Sequence, residues 1–256
     1  MVLEVNTRPS DSPFVEAIYQ SRSIDGGSFM SIAASQWEIV ITKQRGKATL
    51  SLRGPETKAS PAPIPEDAEF LGIIFKHGTY MPHLPATKLV DEEIHLPKTG
   101  KNSFQLFGDT WEFPDFENVD TFVKRLIREG LLAHDQVVDD ALRGNTQGLS
   151  LRSVQRHFLQ VTGLTYKTIQ QIERARQALA LLHFADHRFQ ARPTARARQP
   201  SKEVQVHVGQ GPADKVLAKR CLHVVTFAVI QYLKLGKAKN TACVAQPKPK
   251  LVTTVL

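Results

Sequence analysis

At Pro114 the spacing of apolar residues changes from every second position to every third or fourth, which divides the chain into a part that pleats and a part that winds. Before it, "WEIVITK" places Trp37, Ile39 and Ile41 on one face of a strand, and "KATLSL" does the same with Ala48, Leu50 and Leu52. "QRG" joins the two, so they are predicted to form a hairpin. Further extended runs follow at 70–76 ("FLGIIFK"), 92–97 ("EEIHLP") and 102–107 ("NSFQLF"), the last with a Gly108-Asp109 turn before "TWEF". Residues 1–114 are therefore expected to form a β-rich domain, barrel-like or sandwich-like. The stretch "ASPAPIPED", 59–67, is expected to be a surface loop, because proline cannot donate to a central ladder.

Beyond Pro114, Asp115 is placed to cap a linking helix within 115–132. In it Phe116, Val119, Phe122, Val123, Leu126 and Ile127 recur at three and four, and Gly130 ends the run. A second short helix is expected over 135–143, with Asp135 as cap, Val137, Val138, Ala141 and Leu142 as its buried side, and Gly144 as its stop. The expected fold class is α+β: the β-rich domain, the linking helix, a helix-turn-helix unit over 133–184, and an atypical basic tail over 185–256.

The next segment, "LSLRSVQRHFLQVTG" (149–163), carries the pattern closest to function. Ser150 is a suitable N-cap, Leu149 is placed to pack on Val154 as a hydrophobic staple, and Gly163 supplies a left-handed C-terminal residue. Leu151, Val154, Phe158 and Val161 form the expected inward stripe. Arg152, Gln155 and Arg156 lie at i, i+3 and i+4 and project together near the N-terminal end, the end that enters the major groove in helix-turn-helix proteins. Arginine bonds bidentately to guanine and glutamine to adenine. Solvated helix faces carry the same residue types, and spacing alone does not separate the two readings.

Charge does not decide the matter either. Residues 1–184 hold 20 Lys and Arg against 22 Asp and Glu, while residues 185–256 hold 13 against 3, so the net charge of +8 comes entirely from the tail. Two cysteines, Cys221 and Cys243, are too few for a disulfide framework and suit a reducing, cytoplasmic setting. The N-terminal "MVLEVNTRPSDSPF" lacks the basic start and apolar run of an export signal. "CLHVVTFAVIQYLKL", 221–235, is too short and too interrupted to span a bilayer, so no membrane partner is expected.

The segment 149–182 resembles the first helix-turn-helix and connecting helix of the AraC/XylS family of bacterial transcription regulators. The elements that carry the likeness occur in order: Leu149-Ser150, Val154, Gln155-Arg156, Phe158, Thr162-Gly163-Leu164, then Ile172, Arg174, Ala178 and Leu181-Leu182. Residues 12–140 are similar in order to the N-terminal part of some members, with "HLP" and "FVKRLIREGLL" segments. The resemblance implies a recognition helix from Ser150 to Thr162, with Arg152, Gln155 and Arg156, flanked by Ser153, facing double-stranded DNA. It also implies that Thr165 to Lys167, with Thr165 capping the next helix, lie beside a phosphate. A connecting helix over Tyr166–His183, a small-molecule effector and a homodimer are implied as well. The chain departs from the family after that: "HFADHRF" (183–189) only faintly matches the start of a second unit. "QARPTARARQPSKE" (190–203) reads as a linker, and 212–236 fits a helix or strands equally.

Other chemistry is weakly supported. His77, His83 and His95 invite a metal site of cupin type, but no H-x-H pair with a following glutamate accompanies them, so no metal ligand and no cofactor are expected. A phosphate loop and a Gly-x-Ser-x-Gly elbow are also absent from the sequence, and an enzyme is not expected. "HGTYMPHL" (77–84) is expected to be a loop at a barrel mouth, open to a ligand or partner.

Overall fold

The computed structural model describes residues 3–190 apart from Gln147. The expected α+β class holds, with an antiparallel sheet and four helices. The strands are β1 (Leu3–Arg8), β2 (Val15–Ser23), β3 (Gly27–Ser31), β4 (Glu38–Gln44), β5 (Lys47–Arg53) and β6 (Ser60–Ile64), followed by β7 (Ala68–Phe75), β8 (Thr79–Tyr80), β9 (Glu93–His95), β10 (Ser103–Leu106), β11 (Asp109–Glu112) and β12 (Ala133–His134). Six of them form the main sheet in the order β1-β2-β7-β4-β5-β9. Its end strands do not pair with each other, and β3 with β6 forms a separate two-stranded ribbon, so the described residues make no closed barrel.

The β4–β5 hairpin forms as the alternation predicts, with Gln44 opposite Lys47 and a two-residue turn at Arg45-Gly46. The β10–β11 turn is Phe107-Gly108, one residue earlier than expected, with Leu106 paired to Asp109. Residues 59–67 are a correction: Ser60–Ile64 is a strand rather than a loop. Pro61 and Pro63 occupy alternate positions, so both missing N–H groups fall on the side away from β3, where a two-stranded ribbon needs no donor. A second correction concerns β1 and β2, which no periodicity announces. β2 carries a register shift between Val15 and Ala17, and such a bulge breaks the alternation by which a strand is read.

One face of the sheet supplies the main core. Ile18, Ile39, Ile41, Leu50, Leu52 and Ile73 are each at most 2% exposed, and α1 (Val119–Arg128) closes the core with Val119, Phe122, Val123 and Leu126. Trp37 stacks on Phe75 with ring centroids 4.1 Å apart. α1 begins later than expected: Asp115 accepts from the N–H groups of Glu117 and Asn118 and so caps the turn that leads into the helix. The opposite face is polar in part, where the Tyr19 hydroxyl donates to Glu38 Oε2 at 3.0 Å and Arg53 Nε donates to Glu93 Oε1 at 3.1 Å.

α2 (Gln136–Leu142), α3 (Leu151–Thr162) and α4 (Tyr166–Gln190) build a second core from Val138, Ala141, Val154, Phe158, Val161, Leu164, Ile169 and Ile172. Ala33, Tyr80 and Val90 of the β-rich part pack onto it, so the two cores abut. α4 has 25 residues, longer than the expected Tyr166–His183, and "HFADHRF" continues this helix instead of opening a new unit. At 1.5 Å per residue it is about 37 Å long. The expectations for the linker after Gln190, for 212–236 and for the rest of the tail lie outside the described residues.

Candidate nucleic-acid interface

The helical unit is fixed by local bonds that the sequence encodes. Asp135 accepts from the N–H of Val137 at 2.9 Å through Oδ1 and caps α2, while its Oδ2 meets His157 Nδ1 of α3 at 2.6 Å. Ser150 Oγ accepts from the N–H of Ser153 at 3.2 Å and caps α3. Thr165 Oγ1 accepts from the N–H of Thr168 at 3.1 Å and caps α4. Each of the three caps satisfies a backbone donor that a helix start leaves open, at about 1 kcal/mol apiece.

The two faces of α3 differ sharply. Val154, Phe158, Val161 and Thr162 are buried, whereas Arg152, Gln155, Arg156, Leu159 and Gln160 are exposed. Ser153 is half-buried at the edge of that surface. Thr165 and Lys167 are exposed too, but at the start of α4, beyond the far end of a 12-residue helix about 18 Å long. The structure thus brings Arg152, Gln155 and Arg156 together and leaves Thr165 and Lys167 as a separate group. α3 contains no Asp or Glu, so its outer face is uniformly non-acidic.

Two details of the expected stripe are corrected. Leu151 is 78% exposed rather than inward, because it lies on the buried arc one turn before the residues that have something to pack on. Leu149 is 37% exposed, so the expected staple is not a buried contact.

The rear of α3 is seated on the β-rich part. Gly163 has φ +72°, and a Cβ there would stand 2.6 Å from Val90 Cγ2 and 2.8 Å from the Ala86 carbonyl oxygen. Only glycine allows both the left-handed turn and this close approach. The segment 77–84 is likewise not an open loop at a barrel mouth. Thr79 is fully buried, Tyr80 packs on the helical core, and the Gly78 carbonyl accepts from the N–H of Asp135 at 2.8 Å. A cleft between the two parts, lined by Trp37, Tyr80, Met81 and Val161 among others, holds about 10 Å³, the space of one water.

A polar junction that the sequence did not reveal joins α4 to the sheet domain. Ser35 Oγ donates to Glu173 Oε1 and also lies 2.7 Å from His77 Nε2; its single proton is directed at the carboxylate, so the imidazole supplies the proton of the second bond. One turn along α4, Arg176 Nη1 donates to the Ala33 carbonyl at 2.9 Å. Burial pushes the His77 pKa below the ordinary imidazole value, although Glu173, Glu16 and Asp139 pull it upward; Arg176 adds to the lowering. Burial also lowers Arg176.

The other two histidines lie elsewhere. His95 Nδ1 is 2.8 Å from Ser51 Oγ, and the His83 ring meets the edge of Phe107 at 5.5 Å. Among the described residues no three His, Cys, Asp or Glu side chains gather as a metal ligand set. No helix among them is long and apolar enough to cross a membrane.

In comparison with known proteins, no family model matches the chain, no curated protein matches its sequence, and no solved structure matches its fold.

Proposed function

We propose that this chain is a sequence-specific DNA-binding transcription regulator of the AraC/XylS type that inserts α3 into the major groove of double-stranded DNA. The observation that carries the reading is the exposed set Arg152, Gln155 and Arg156, held on one face of a helix whose opposite face is buried and whose start is capped by Ser150. These are the residue types that read guanine and adenine edges, and they stand at the helix end that enters the groove. Thr165 and Lys167 at the start of α4 then meet a phosphate, which positions the helix without reading sequence.

One recognition helix is a marginal reader. Two or three base contacts at about 1 to 3 kcal/mol each supply about 2 to 9 kcal/mol, the lower half of which falls short of the about 4 to 10 kcal/mol by which specific complexes exceed non-specific ones. A second copy of the chain, bound alongside in a homodimer, closes that gap through effective concentration. In this reading the β-rich domain serves association and the sensing of a small-molecule effector, in the cytoplasm.

The test is a band-shift titration of the full chain at fixed salt against random duplexes and against duplexes selected from a random pool. Arg152→Ala and Gln155→Ala are each expected to weaken binding to the selected duplex by about 5- to 150-fold, the worth of one bidentate base contact. Binding to random duplexes is expected to change less. Equal affinity for both duplex classes, unaltered by either substitution, refutes the proposal.

A further inference from the structure

Leu151 is the most exposed large apolar side chain among the described residues, at 78%. An isolated exposed leucine needs no explanation by itself, but its position is specific. It is the first residue of α3, directly before Arg152 and one turn before Gln155 and Arg156. The four residues occupy positions i, i+1, i+4 and i+5, the first turn and a half of the helix, which is the part of a recognition helix that reaches base edges. By helical phase Leu151 continues the arc of Val154 and Phe158 and adjoins Gln155 at i+4. Among the described residues, however, the burial of α3 begins only at Val154, so the Leu151 side chain is left exposed at the helix start beside Gln155.

We infer that Leu151 is a specificity-determining residue whose side chain contacts the C5-methyl group of a thymine. This inference rests on the DNA-binding reading of α3. The major groove offers a single apolar feature, the thymine methyl, and apolar side chains are its partners. Leu151 lies beside Gln155 at i and i+4, so the methyl belongs to a thymine in the pair read by Gln155 or in the neighbouring pair. The helix then recognises a short mixed step: guanine contacts by the two arginines, an adenine edge by glutamine, and a thymine methyl by leucine.

The experiment uses the full chain and a duplex it enriches from a random pool. Each thymine is replaced in turn by deoxyuridine, which removes the methyl and leaves every hydrogen-bonding group in place. At one position the replacement is expected to weaken binding about fourfold, the transfer value of one buried methyl expressed as a ratio of dissociation constants. Leu151→Ser is expected to bind thymine and deoxyuridine duplexes equally, and Leu151→Met to keep the discrimination. Because Leu151 is exposed, neither substitution disturbs the core, and circular dichroism of the variants checks this. If every thymine of an enriched duplex tolerates deoxyuridine, or the discrimination persists unchanged in Leu151→Ser, the role of Leu151 is refuted while the DNA reading stands. If the pool yields no enriched sequence, the DNA reading falls and takes this inference with it.

Discussion

The contact between Gly163 and the β-rich part can be measured against an internal control. Gly163 and Gly130 have nearly the same backbone, φ +72° and +71°, and both end a helix. They differ in their surroundings: a Cβ at Gly130 meets nothing within 4 Å, whereas at Gly163 it meets Val90 Cγ2 at 2.6 Å and Ala86 oxygen at 2.8 Å. Gly130→Ala therefore carries only the left-handed penalty of about 1 to 2 kcal/mol, reduced by up to about 1 kcal/mol because alanine also restricts the unfolded chain. Gly163→Ala carries the same penalty plus the overpacking of a rigid neighbour, about 1 to 3 kcal/mol more. Since Ala86 contributes a backbone oxygen, relief requires α3 to shift as a body. Urea denaturation of both variants at one pH gives the difference directly, read as a change in midpoint at constant slope. If Gly163→Ala is no less stable than Gly130→Ala, within about 0.5 kcal/mol, then α3 is not seated on residues 86–90 in solution.

Two other predictions follow from the same junction. His77 is held below its ordinary pKa in the folded chain by burial, so as pH falls through about 6.5 the unfolded chain takes up the proton first and stability declines. His77→Gln is expected to flatten that decline below about pH 6.5, as measured by thermal melts over pH 5 to 8; an unchanged pH profile argues against the buried bond to Ser35. Asp135→Ala removes both the α2 cap and the partner of His157, with an expected loss of about 1 to 3 kcal/mol in chemical denaturation. Asp135→Asn keeps the cap acceptor and is expected to lose less, and equal losses would show that the contact with His157, not the cap, carries the effect.

Local bonding and periodicity made much of the molecule legible from the amino acids alone. The β4–β5 hairpin was readable because a half-buried strand must alternate, and the caps at Asp135, Ser150 and Thr165 because an open helix start demands a short acceptor at one defined position. The exposure of Arg152, Gln155 and Arg156 was equally readable, since a helix that buries Val154, Phe158 and Val161 must turn those three outward. Periodicity failed where the chain departs from it, at the bulge in β2 and at the prolines of β6, which only a ribbon with a free side accommodates.

The tertiary structure alone decided how these pieces meet. Leu151 shares the buried arc of α3 yet stays 78% exposed among the described residues, because burial depends on what lies opposite and not on helical phase. Ser35, His77 and Glu173 were silent for a related reason: their bonds span 42 and 138 residues, and no local propensity encodes a contact across that distance. Segment 77–84 looked like an exposed loop by composition, yet it is the joint on which the helical unit rests. Short-range bonding is set by neighbours in the chain and was therefore written in the sequence. The seating of α3 and α4 on the sheet is set by shape complementarity between distant surfaces, which exist only once both parts have folded.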